Sequence, residues 1–172
     1  MIYNNFSDQY KKILINCENN IKEIWFKELK EEDILIEIIR ESKWWIKELF
    51  NIYWISEKIV LELIENSDIM WKKESRKWVY SWMNKKLKDS ILFSFKIASS
   101  FSKPKATIED FLLALIKNNS WFSKMLDFIW INPIDLENNL IDLNEMWSVD
   151  WIYEKWWAKS QEESIDKIIW AI

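Results

Sequence analysis

The chain of 172 residues contains no glycine, no histidine, a single cysteine and only two prolines. Each shortage excludes something. Without histidine there is no His-based catalytic triad and no imidazole metal site. Cys17 alone cannot form an internal disulfide or build a zinc site, so a reducing cytoplasm is the expected compartment. No window approaches the ~18 consecutive apolar residues of a membrane span. The start, Met1-Ile2-Tyr3-Asn4-Asn5, has neither a basic region nor an apolar run of signal-peptide length. There is no basic excess: the net charge of −4 gives no reason to expect nucleic acid or an acidic membrane surface as a partner. No Gly-x-x-x-x-Gly-Lys-Ser/Thr phosphate loop appears, even when every tryptophan is read as glycine.

The missing glycines have a counterpart. Average usage of roughly 7% predicts about 12 glycines in a chain of this length. The chain instead carries 14 tryptophans, many in polar, turn-like contexts: Lys43-Trp44-Trp45, Met70-Trp71-Lys72, Lys77-Trp78, Ser81-Trp82, Asp150-Trp151 and Lys155-Trp156-Trp157-Ala158-Lys159. Helices end in such contexts, and a positive φ there is the work of glycine. This pattern fits a gene from a lineage that reads UGA as glycine, with standard translation writing tryptophan. The alternative is a genuine Trp-rich, glycine-free protein, whose aromatics would offer a helical ligand-binding surface for sugars or bases.

What the chain does contain is mostly helix, twice over. Half of the residues are apolar (49%) and 30% are charged, as in a globular domain long enough to bury its own core. Glu32-Asp33-Ile34-Leu35-Ile36-Glu37-Ile38-Ile39-Arg40 recurs as Glu109-Asp110-Phe111-Leu112-Leu113-Ala114-Leu115-Ile116-Lys117, at an offset of 109 − 32 = 77. At that offset Trp44 meets Trp121, Lys47 meets Lys124 and Leu49 meets Leu126. The register then slips by one, and Trp54-Ile55-Ser56 meets Trp130-Ile131-Asn132. A repeat of this kind dictates the fold before any single motif does.

Apolar periodicity and capping residues place the helices. The first runs from about Ser7 to Ile24, with Tyr10, Ile13, Leu14, Cys17 and Ile21 on one face and Cys17 a small core residue. The second covers about Glu31 to Ser42 and stops at Lys43-Trp44-Trp45. The third spans Ile46 to Tyr53, and the fourth runs from a Ser56 cap to about Glu65. The pattern restarts with a helix from about Lys85 to Phe101. A loop follows at Ser102-Lys103-Pro104-Lys105, where proline bars a helix interior. Thr107 opens the sixth helix as a capping box with Asp110 in the reciprocal place. The seventh spans Phe122 to Phe128, and Asn132-Pro133 caps an eighth to Asp142. The expected organisation is all-α: residues 1–65 and 85–143 as two four-helix repeats, 66–84 as the linker between them, and 144–172 as a second linker with a terminal helix over Lys159–Ala171. Acidic pairs such as Glu31-Glu32 and Glu162-Glu163 read as solvated helix faces rather than as catalytic carboxylates.

Phe6-Ser7-Asp8-Gln9-Tyr10, followed by Glu32-Asp33-Ile34-Leu35-Ile36-Glu37-Ile38-Ile39 and by Tyr53-Trp54-Ile55-Ser56, resembles the Clp repeat. That family reads Phe-Thr-Asp/Glu, then Thr-Glu-His-Leu-Leu-Leu-Ala-Leu-Leu, then a glycine-ended short helix and Leu-Gly-Val-Asp. Ile129-Trp130-Ile131-Asn132 matches the last piece if Trp130 stands for glycine. The resemblance covers about residues 5 to 143.

The resemblance implies the amino-terminal domain of Clp ATPases such as ClpA, ClpB and ClpC: a pseudo-dimer of helical repeats that receives substrates and adaptors, does no chemistry and needs no cofactor. Its partners would be the AAA+ ring, adaptors and protein clients. The glutamates that help ClpC-type domains hold phosphoarginine match Glu32 and Glu109. A carboxylate there can pair with a guanidinium, and the phosphate needs donors from the preceding threonine and the helix start. This chain departs at that point. Glu31 and Ile108 replace the threonines, and Asp33 and Asp110 replace the histidines. Added carboxylates repel phosphate. The simpler role for Glu32 and Glu109 is as acids favourable to the helix macrodipole. A helical enzyme or ligand carrier with an unrecognised pocket is the reading from another class.

Overall fold

A computed structural model describes residues 2–22, 28–70 and 83–146. Eight α-helices follow in order: α1 (Asp8–Lys22), α2 (Glu31–Glu41), α3 (Trp44–Ile52), α4 (Glu57–Met70), α5 (Lys85–Ser100), α6 (Ile108–Lys117), α7 (Trp121–Phe128) and α8 (133–146). A short 3-10 turn (Ile2–Asn5) precedes them. Among the described residues there is no strand, only two isolated bridges. The fold is therefore all-α, built as two four-helix units.

The helix starts use the residues the sequence points to. Ser7 Oγ accepts from the Tyr10 amide (3.3 Å), Ser56 Oγ from Ile59 (3.3 Å) and Asn132 Oδ1 from Ile134 (3.1 Å). Asn84 and Ser120, which were not among the expected caps, start α5 and α7 through the same kind of contact. At α6 the Thr107 amide donates to Asp110 Oδ2 at 2.8 Å, which is the reciprocal half of the expected capping box.

Four helix ends share one device. Trp54, Ser102, Asn119 and Trp130 have φ of 58°, 56°, 49° and 61°. After each, the next amide reaches back to the carbonyl five residues earlier: Ile55 to Phe50 (2.8 Å), Lys103 to Ala98 (2.9 Å), Ser120 to Leu115 (3.3 Å) and Ile131 to Leu126 (2.9 Å). These are Schellman closures with the left-handed residue at the position glycine usually fills. Trp54 and Trp130 end α3 and α7 at equivalent places, 82% and 96% exposed.

Several ends differ from expectation. Trp44 and Trp45 do not form a helix stop; they open α3, because the Lys43 carbonyl already accepts from the Ile46 and Lys47 amides. Helix α4 continues to Met70, into the 66–84 stretch, and α8 continues to residue 146. Polar residue types do not by themselves end a helix, which stops where a left-handed turn or proline follows. The remaining linker residues and the Lys159–Ala171 helix lie outside the described residues.

The halves interlock. Phe6, before α1, bridges to Ala106, before α6, and Leu29, before α2, bridges to Met83, before α5. The arithmetic is that of the repeat: 6 + 77 = 83 and 29 + 77 = 106. Each half thus lends its entry segment to the other, with Ser7 N to Ala106 O at 2.8 Å matched by Asn84 N to Leu29 O at 2.9 Å. Helix α1 lies along α2 and α5 along α6, while α2 also touches α7 across the halves. One core runs through both. Phe6 meets Tyr10 edge-on (4.6 Å between ring centres) and Phe95 (4.8 Å), and Tyr10 meets Phe111 (5.5 Å). Cys17 is buried in this core, its thiol 3.7 Å from the Asp33 carbonyl oxygen. Helix α6 lies deepest: every residue from Ile108 to Ile116 is buried. Helix α2 buries only part of itself, leaving Ile36 and Ile39 half-exposed.

Candidate functional site

The repeated helix starts place Glu32 and Glu109 at the second position of α2 and α6. Their surroundings differ. Glu109 is buried, and its Oε1 accepts from the Trp45 indole Nε1 at 2.8 Å. That indole belongs to α3, in the other half, and the Lys43 ammonium lies 4.7 Å from its ring centre. The residue equivalent to Trp45 is 45 + 77 = 122, a buried phenylalanine, which offers no donor. Glu32 is half-buried. Burial raises its pKa above the ordinary glutamate range, opposed by its own amide and by Lys30. Desolvation therefore outweighs the benefit of the helix start for this carboxylate.

The acidic neighbours at both helix starts are engaged within the fold. Glu31 is buried and accepts from Ser90 Oγ at 2.7 Å, across the halves. The equivalents of Glu31 and Ser90 are Ile108 and Ile13, both buried, so a polar contact in one half corresponds to apolar residues in the other. Asp33 accepts from the Lys30 amide at 3.0 Å. Asp110 accepts from Thr107, amide and hydroxyl, and from the Lys103 ammonium at 2.6 Å. The two aspartates at the resemblance's histidine positions thus serve the backbone, each closing its own helix turn.

Lys103 was legible only as a loop residue, yet its ammonium is nearly buried and also donates to Thr107 Oγ1 (2.9 Å) and to Asn144 Oδ1. Burial raises the Asp110 pKa, while Lys103 and then Thr107 hold it down. Asn144 and Ser90 were not singled out in the sequence, and Trp45 read only as a turn residue, because their partners lie far along the chain. A groove of about 360 Å³ beside α1 and α2 is lined by Cys17, Asn20, Asp33, Glu37 and Arg40 among others. Its charges are engaged, Glu37 by Asn16 (2.7 Å) and Arg40 by Glu57 (2.8 Å). Among the described residues no cluster of side chains is suited to a metal ion, and no helix is long and apolar enough to cross a membrane.

An all-helical pair of interlocked repeats is a fold seen in solved Clp amino-terminal domains. Solved structures agree. The chain is similar to the N-terminal domain of the caseinolytic protease associated chaperone ClpD from Arabidopsis thaliana, with a TM-score of 0.59 and 13% identity over 83% of this chain and 96% of that one. It is similar also to a chain from structural investigations of a malarial protein secretion system, with a TM-score of 0.60 and 17% identity over 82% and 95%. No family model and no curated protein matches the sequence. What the chain shares with both is the all-helical fold, and among the described residues every regular element is helical.

Proposed function

We propose that this chain is a docking domain of a Clp-type ATP-dependent chaperone or protease system, receiving adaptors or protein clients in the cytoplasm, either alone or as part of a longer ATPase. The observation that carries the reading is the interlocked repeat itself, with its likeness to the ClpD N-terminal domain. Glu32 and Glu109 are the proposed docking carboxylates. Their first-turn neighbours are acceptors or apolar, so cationic groups of a partner suit them better than a phosphorylated one. Affinity capture from the source lysate with this chain as bait tests the reading. Clp ATPase subunits, their adaptors or misfolded clients should be enriched over an unrelated helical bait. Enrichment of none of these would overturn it.

The tryptophans belong to the same proposal. We infer that apparent tryptophans at turn positions are glycines written through a UGA codon. Trp54 and Trp130 support this, since both occupy left-handed Schellman positions. Trp44, Trp45 and Trp121 lend no such support, because they sit in first helical turns. Peptide mass spectra of the native protein across positions 54 and 130 should read glycine. Intact tryptophan there would favour instead a Trp-rich ligand-binding surface, to which Trp44, Trp54 and Trp130 are open at 75%, 82% and 96% exposure.

A further inference from the structure

Helix α8 runs antiparallel to α6. At one end Lys117, in the last turn of α6, pairs with Glu137 on the surface. At the other end the contact is buried. Lys103 Nζ meets Asp110 Oδ2 (2.6 Å), Thr107 Oγ1 (2.9 Å) and Asn144 Oδ1, which uses all three ammonium donors. Lys103 comes from the α5–α6 loop, Thr107 and Asp110 from the start of α6, and Asn144, which is fully buried, from the last turn of α8. Asp110 Oδ2 in turn holds the Thr107 amide and hydroxyl, and so fixes the turn that presents Glu109. The positions equivalent to Lys103 and Thr107 are 103 − 77 = 26 and 107 − 77 = 30, a phenylalanine and an exposed lysine. The first half therefore cannot repeat this set of partners.

We propose that Lys103 is a latch that couples the last turn of α8 to the first turn of α6, so that undocking the end of α8 releases the Thr107–Asp110 turn and the carboxylate it carries. The coupling is a property of the second half alone. Removing Asn144 leaves the ammonium with one acceptor fewer in a buried site, where an unmet donor is costly. The consequence for docking at Glu109 rests on the function proposed above; the coupling does not, and it is measured separately.

Native-state hydrogen exchange by NMR on the full chain tests it, comparing the parent with Asn144→Ala and Lys117→Ala. The amides of Thr107, bonded to Asp110 Oδ2, and Phe111, bonded to the Thr107 carbonyl at 3.2 Å, report on the α6 turn. In Asn144→Ala they should exchange about tenfold faster, together with the last turn of α8, while α2 amides keep their rates. Lys117→Ala removes only a surface pair and should leave Thr107 and Phe111 unchanged. Faster exchange in α8 alone would overturn the latch, and so would an equal acceleration across both halves. Since exchange is read without any partner, failure of the latch and failure of the docking function are distinct results.

Discussion

Trp54 and Trp130 hold the largest side chain at backbone positions where a Cβ is already unfavourable. A left-handed residue other than glycine costs roughly 1–2 kcal/mol, and glycine gives back part of the gain through the freedom of the unfolded chain. Each of Trp54→Gly and Trp130→Gly should therefore stabilise the protein, by about 1 kcal/mol in chemical denaturation. Equal or lower stability would show that the indoles contribute packing that compensates. Glu32 makes a pH prediction at the same scale. Burial raises its folded pKa, so on going up from acid the unfolded chain loses its proton first, and stability falls until the folded group ionises as well. Glu32→Gln carries no such penalty. It should be more stable than the parent at neutral pH, with the gain vanishing below the ordinary glutamate range; a loss at neutral pH would mean that the macrodipole governs this residue. Trp54 and Trp130 were legible as turn residues because apolar helix patterns stop just before them. The closure of Glu109 by Trp45 was not, because the donor lies 64 residues away and no local pattern encodes it.

Among the elements, α6 carries the most burial, while α5 keeps one face open to solvent. Leu112 is fully buried, so Leu112→Ala should cost roughly 2–5 kcal/mol by thermal or denaturant unfolding. Leu92, on α5, is 60% exposed, and Leu92→Ala should stay within about 0.5 kcal/mol of the parent. Comparable losses for both would contradict the placement of α6 at the centre. The run Phe111-Leu112-Leu113-Ala114-Leu115-Ile116 announced a buried helix, and Thr107 and Asp110 announced its start. The lengths of α4 and α8 were less readable. Asn66, Ser67 and Asp68 resemble a linker in composition, yet composition of this kind is no helix stop, and α4 continues to Met70. Asn144 looked like the beginning of a linker for the same reason. It is instead a buried residue of α8, and its partner Lys103 is met only once the chain has folded.

At the scale of the molecule, the exchanged entry segments make the two repeats one folding unit. A peptide of residues 1–70 lacks Ala106 and Met83, which pair with Phe6 and Leu29, and lacks α6, where Phe111 packs on Tyr10. That peptide should show no dispersed NMR spectrum as a monomer; a folded monomeric half would contradict the interlocked arrangement. The repeat was legible from one offset of 77 residues, and the two bridges obey it, but the exchange of segments between halves was not, since a repeat in sequence does not say which copies pair. In the function proposed above, Glu32 and Glu109, at matching positions of the repeat, dock partners from a Clp system. Quantitative affinity capture with the parent chain and with a Glu32→Ala/Glu109→Ala variant tests it most directly, once the variant's circular dichroism matches the parent. The parent should enrich Clp ATPase subunits, adaptors or clients, and the variant should lose that enrichment. Equal enrichment by both baits, or none by either, would contradict it.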